Sequence, residues 1–287
     1  MDISLFDSPT VVDDAVANAQ RAADLGLARY WVPQIMNADT MVTLGIVGSK
    51  VDGIGLGTSV MAMQTMMPQT MAQQARTVNQ ISGGRLTLGL GVNHEPVVTG
   101  MWGMPWDKPY SRLVEYLDAL IPMLTDQKVS VSGQWTTLHS EIFVPGDAPE
   151  LMLAALGPRM LKLAGERTAG TITWMTGPNT IRDHIAPNLG SGRIVAGVCV
   201  VVTDDVETAR ERANQALAIY PTLPSYKAVM EREGATEAAD LVLIGSADEV
   251  SAGLDRYAEA GTDEVALNLI GTPEQNDAAW ELLSARV

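Results

Sequence analysis

The chain has 287 residues, a formal net charge of −15, and 46% hydrophobic against 18% charged residues. That length fits one large α/β barrel of about 250 residues, and the apolar share suffices for a sizeable core. The negative field repels nucleic acid and anionic membrane surfaces, and no basic patch offsets it, so neither partner is expected.

The single cysteine, Cys199, excludes an internal disulfide and suits a reducing compartment. It lies in the apolar run Ile194–Val202 and reads as a small buried hydrophobe. Met1-Asp2-Ile3-Ser4-Leu5 lacks the basic stretch of a leader, and no apolar run approaches the roughly 20 residues that span a bilayer. The expected location is the cytoplasm.

Short β-rich runs alternate with Ala/Leu-rich helical patterns along the chain. The first strand is expected at Ile3–Phe6, followed by a helix over Asp13–Leu25 that Gly26 stops. Arg29–Pro33, a helix around Thr40–Ser49, Gly53–Val60 and a helix over Gln69–Ile81 come next. Arg85–Gly91 is the fourth strand, and Arg112–Leu124 the helix after it. Lys128–Gly146 breaks the alternation. Its period-two Val-Ser-Val-Ser run and Gly turn predict a small hairpin inserted before the fifth strand.

Leu151–Ala155, helix Arg159–Glu166, Thr171–Met175 and a helix near Thr180–Leu189 resume the pattern. The strand Arg193–Val202 precedes a long helical region over Asp205–Arg232 and a helix near Asp248–Ala260. Glu264–Ile270 and the helix Glu274–Ala285 complete the pattern. The strands are continuously apolar, as parallel strands covered on both faces are. A doubly wound open sheet would normally carry a Gly-rich dinucleotide turn after an early strand, and none is present. The expected architecture is therefore a single (β/α)₈ TIM barrel over residues 1–287, with a small hairpin insertion.

In such a barrel the chemistry lies where strands end and βα loops begin. After the third strand, Met61-Ala62-Met63-Gln64-Thr65-Met66-Met67 offers thioethers that adapt to a planar ligand. After the fourth, Asn93, His94 and Glu95 stand together, and His94 titrates near neutrality. His139 and His184 carry no assigned role.

After the fifth strand, Gly157-Pro158-Arg159-Met160 opens a helix whose free N–H groups make an anion seat, with Arg159 able to add a charge-assisted bond. Thr176-Gly177-Pro178-Asn179 repeats the design after the sixth strand, with a hydroxyl in place of the Arg. The two entrances together point to a phosphorylated cofactor. No metal-ligand spacing and no Ser/His/Asp set is present, and a borrowed cofactor fits that poverty.

Several segments resemble the luciferase-like monooxygenase superfamily. They are Tyr30-Trp31-Val32-Pro33-Gln34, Gly55-Leu56-Gly57-Thr58-Ser59-Val60, Ala72-Gln73-Gln74-Ala75, Ser82-Gly83-Gly84-Arg85 through Gly91, Ala154 through Gly165, and Ala169-Gly170-Thr171. Gly91-Val92-Asn93-His94-Glu95-Pro96-Val97-Val98 and Pro221-Thr222-Leu223-Pro224-Ser225-Tyr226 look closest to actinobacterial members that use coenzyme F420. The resemblance implies a luciferase-like TIM barrel, a homodimer, and a non-proline cis peptide at Ser59-Val60 supporting the cofactor ring. It places Gln34, Val92 and Asn93 at ring-contacting positions, and Gly157, Pro158, Arg159, Met160, Thr176 and Gly177 around the phosphate.

Sugar-phosphate dehydrogenases of the superfamily carry an Asp and a catalytic His after the second strand, where this chain has Gln34-Ile35. They also place a Glu where His94 stands. The expected function is an oxidoreductase moving a hydride between F420 and a small organic molecule, with His94 handling a proton. Met63, Met66, Trp102 and Trp106 are expected to line the substrate side. A reduced-FMN two-component monooxygenase is the alternative, and a non-catalytic binding protein that kept the barrel is a third.

Overall fold

In the computed structural model, which describes residues 1–286, the apolar runs pair in parallel. β1 (Asp2–Phe6) pairs with β12 (Glu264–Leu269) in the register Asp2↔Glu264, and with β2 (Arg29–Val32) through Leu5↔Tyr30. The sheet continues through β3 (Gly55–Thr58), β5 (Leu86–Gly91), β8 (Glu150–Ala154) and β9 (Gly170–Trp174). β9 pairs with β10 (Arg193–Val202), which pairs with β12, so the ladder returns to its start. Ten strands make this sheet, but β4 (Met61–Ala62) and β11 (Leu243–Gly245) are short additions at β5 and β10, leaving an eight-stranded parallel barrel. Helices α1 (Val12–Asp24), α2 (Thr40–Lys50), α3 (Pro68–Ile81), α4 (Pro109–Thr125) and α5 (Pro158–Arg167) follow their strands.

The chain divides into two compact units, one of Met1–Asp7, Arg21–Trp31 and Ala155–Val287, the other of Ser8–Gln20 and Val32–Ala154. In the first, a buried carboxylate anchors the N-terminal ends of the strands. Glu264, 1% exposed, accepts from Ser4 Oγ at 2.6 Å, Trp31 Nε1 at 2.7 Å and Arg29 at 2.6 Å. A buried charge with several donors and a cationic partner is costly to break, because losing one partner leaves the other uncompensated. In the second unit Arg76 on α3, itself buried, donates to the carbonyls of Leu124, Val144 and Gly146 and ties the loops around the hairpin.

The hairpin forms where expected, β6 (Lys128–Ser132) antiparallel to β7 (Thr137–Glu141). Three expectations change. The strand expected over Gly53–Val60 is shorter, β3 covering Gly55–Thr58, with the cis peptide Ser59-Val60 between it and β4. The helix expected over Asp205–Arg232 is two, α8 (Val206–Ala216) and α9 (Pro224–Glu233), parted by a 3₁₀ turn at Tyr220–Thr222. Pro221 and Pro224 lack the N–H that a continuous helix needs.

The helix near Thr180–Leu189 begins at Pro178, as α6 (Pro178–Thr180), a wide π turn over Ile181–Ile185 and α7 (Ala186–Leu189). β11 was missed, and α10 (Ala247–Glu259) and α11 (Pro273–Arg286) close the chain. Among the described residues, no helix is long and apolar enough to cross a membrane.

Candidate active site

In the second unit the tips of β3 and β5 are locked edge to edge. Thr58 Oγ1 donates to Gly89 O at 2.7 Å and accepts the Gly89 N–H at 2.8 Å. Ser59 N–H donates to Val32 O at 2.9 Å, immediately before the cis bond that the resemblance places at Ser59-Val60. Val60 then leans over Gly91. A Cβ there would lie 2.8 Å from Val60 Cγ2 and 3.2 Å from Ala154 Cβ, so a larger residue at this strand end would force Val60 to shift.

Gln34, expected at the ring, has both amide atoms engaged by the loop. Its Oε1 accepts the Ala62 N–H at 2.7 Å, and its Nε2 donates to Thr65 Oγ1 at 3.0 Å. Gln34 therefore positions the Met63–Thr65 turn. Gln64, which the sequence did not single out, donates through Nε2 to Val92 O at 2.7 Å, while its Oε1 is buried without a partner.

Asn93 takes a left-handed conformation (φ 57°), one that Asn tolerates better than most residues, and its Oδ1 accepts the His94 N–H at 2.7 Å. A π turn over Pro96–Met101 follows. His94 is half-buried, and desolvation lowers its pKa from 6.5. The imidazole is thus neutral at pH 7, and its resting form accepts a proton rather than donating one.

Met63, Met66 and Trp106 line one cleft of about 310 Å³, together with Met67, Met104, Arg112, Tyr116 and Trp135. Trp102, expected with them, is not among its lining residues. Trp135 enters from the hairpin turn. That turn is held by Glu115 on α4, whose carboxylate accepts the N–H groups of Gln134 at 3.1 Å, Trp135 at 2.7 Å and Thr136 at 3.0 Å.

In the first unit the two Gly-Pro helix entrances differ. Gly157, Pro158 and Arg159 are exposed, Met160 is half-buried, and α5 has no side-chain cap. A Cβ on Gly157 would meet nothing within 4 Å. An N-terminus without a side-chain cap and this open approach fit a phosphate.

Gly177 is buried, and the Thr176 hydroxyl, 0% exposed, donates inward to Trp174 O at 3.1 Å. The amides beyond Gly177 are already taken, since Glu233 at the end of α9 accepts from Asn179 N–H at 3.3 Å and from Thr180 N–H. Glu233 lies far away in sequence and nothing local marks it. His184 bridges back to the α5 entrance, its Nε2 lying 2.8 Å from Leu156 O.

An aromatic row that sequence reasoning missed crosses the same unit. Phe6 and Trp174 have ring centroids 4.7 Å apart, Trp174 and Tyr220 6.4 Å, and Tyr220 meets Tyr226 edge-on at 4.8 Å. Trp174 fits because Gly197 faces it, where a Cβ would lie 2.6 Å from Trp174 Cε3. Among the described residues, no group of three His, Cys, Asp or Glu side chains is placed to hold a metal ion.

The chain is 28% identical over 234 residues to a 5,10-methylenetetrahydromethanopterin reductase of Methanolobus tindarius, covering 77% of this chain and 71% of that one. It is 29% identical over 227 residues, 69% of this chain and 65% of the other, to a Mycobacterium tuberculosis protein provisionally named as a coenzyme F420-dependent oxidoreductase.

The fold superposes on the coenzyme F420-dependent tetrahydromethanopterin reductase of Methanopyrus kandleri with a TM-score of 0.82 at 20% identity, covering 100% of this chain and 98% of that one. It also superposes on the FMN-bound oxygenating component of a Pseudomonas putida diketocamphane monooxygenase at 0.76 and 15% identity, covering 99% and 96%. The model of one family, luciferase-like monooxygenase, matches residues 4–276, and with the parallel barrel this assigns the chain: it belongs to the luciferase-like monooxygenase family.

Proposed function

We propose that the protein is an oxidoreductase that moves a hydride between coenzyme F420 and an organic substrate, with one barrel domain over residues 1–287 acting as a homodimer in the cytoplasm. The observation that carries this reading is the open α5 entrance, where uncapped amides, an unobstructed Gly157 and exposed Arg159 suit a phosphate ester. The sequence relatives named for F420 or a methanopterin reductase support the choice of cofactor.

When bound, F420 supplies the hydride donor or acceptor. The protein's part is to seat the phosphate at Gly157, Pro158, Arg159 and Met160, and to present the strand tips at Ser59, Val60, Val92 and Asn93 to the ring. Gln34 keeps the intervening turn in place, and the neutral His94 imidazole takes a proton from a substrate hydroxyl or, once protonated, returns it. Thr176 and Gly177 shape the neighbouring turn, because the amides past them are capped by Glu233.

Titrating the purified protein with F420 and with FMN, followed by absorbance, tests the reading. Saturable F420 binding at micromolar cofactor is expected. Absence of binding overturns it. FMN binding in its place supports the second reading, a reduced-FMN monooxygenase, which the FMN-bound structure of the same fold favours.

A further inference from the structure

The cleft walled by the hairpin has a composition that selects its ligand. Met63, Met66, Met67 and Met104 give it soft thioether surface, and Trp106, Trp135 and Tyr116 give it flat aromatic surface. Met67 is 61% and Met104 37% exposed, so apolar area here stands uncovered. The volume of about 310 Å³ falls at the lower end of small-molecule sites.

Two of the charged groups beside it, Arg112 and Glu115, are engaged within the protein. Arg112 is paired with Asp107 at 2.6 Å and lies 5.6 Å from the Trp135 ring, while Lys108 lies 5.8 Å from the same ring. The Glu115 carboxylate is engaged by three N–H groups of the hairpin turn. Tyr116 donates its hydroxyl to Met66 O at 3.0 Å. A ligand carboxylate entering here would have to compete with Asp107 for Arg112, in a protein of net charge −15. A neutral ring loses no such pairing and gains thioether and aromatic contact.

We infer that this cleft binds a neutral, flat, apolar molecule, and that molecules of this class are the enzyme's substrates. The inference rests on the oxidoreductase reading only in calling the ligand a substrate; the ligand class rests on the lining. Calorimetric titration of the cofactor-free protein with 2-naphthol and with 2-naphthoate tests it. Saturable 2-naphthol binding is expected, with 2-naphthoate about tenfold weaker or more, a difference of ~1.4 kcal/mol.

Trp135→Ala and Met67→Gln should each weaken 2-naphthol binding about fivefold or more, with far-UV circular dichroism and the cofactor titration unchanged. Equal or tighter binding of the carboxylate, no 2-naphthol binding, or 2-naphthol binding indifferent to both substitutions overturns the inference. F420 titration in parallel reads the oxidoreductase proposal separately, so failure of one is not mistaken for failure of the other.

Discussion

Glu233 fills the space beside Gly177: a Cβ built at position 177 would lie 2.5 Å from Glu233 Oε2, so a larger residue there must displace the carboxylate. The carboxylate uses that space to cap the amides of Asn179 and Thr180, fastening the end of α9 to the turn after β9. Gly177→Ala should push the carboxylate out and cost about 1–2 kcal/mol, the worth of a charged cap. Thermal denaturation checks this, with a drop of roughly 2–8 °C expected. Glu233→Gln keeps an acceptor oxygen and should lose less.

The two helix entrances separate in ligand binding. Arg159→Ala should weaken the phosphorylated cofactor about five- to tenfold, since one charge-assisted bond is lost at an exposed site. Glu233→Gln should change the same dissociation constant by less than about twofold, because the phosphate is held at α5. A large gain in affinity for Glu233→Gln would move the phosphate to the Gly177 entrance instead.

His94 governs the pH response. Burial lowers its folded pKa below 6.5, so between those two values the unfolded chain binds the extra proton. This group's contribution therefore makes stability fall as pH drops through that window and level off below the folded pKa. An NMR titration of the imidazole should give a midpoint below 6.5. His94→Ala should reduce kcat about 10²–10⁴-fold while cofactor binding is retained, and it should remove the acidic limb of the kcat profile. Unchanged turnover would return His94 to a structural role.

Glu115 links the hairpin to acid. Its carboxyl is held below the usual range mainly by the Trp135 N–H, with the Thr136 and Gln134 N–H groups and Arg112 adding to it and desolvation opposing it. A depressed carboxylate contributes stability above its unfolded pKa and loses it as pH falls through the folded value. Tryptophan emission should therefore change below about pH 4.5 as Trp135 loosens. Glu115→Gln should abolish that acid-dependent step.

Gly197→Ala tests the aromatic row. The new methyl would sit 2.6 Å from Trp174 Cε3 and 3.1 Å from Thr173 O, so the indole must shift. A loss of about 1–3 kcal/mol and an altered near-UV circular dichroism spectrum are expected. An unchanged aromatic spectrum would mean that Trp174 is not packed against this glycine.

Periodicity made the eight barrel strands legible because parallel strands covered on both faces must be apolar throughout, and no folded partner is needed to see that. The Gly-Pro pairs at 157–158 and 177–178 were equally legible as helix starts, since Pro at the first turn is a local preference. The sequence could not distinguish one from the other. What separates them is Glu233, over fifty residues downstream, and only the folded chain brings a carboxylate to one entrance and leaves the other open.

The same holds for Trp135 and Trp174, whose surroundings are Glu115, Arg112, Phe6 and Gly197 from other elements. His94 was visible as a titratable group at a strand end, yet the lowering of its pKa comes from burial. Local backbone preference and hydrophobic period reside in the chain itself. Burial, charge compensation and cap occupancy arise only when distant segments meet.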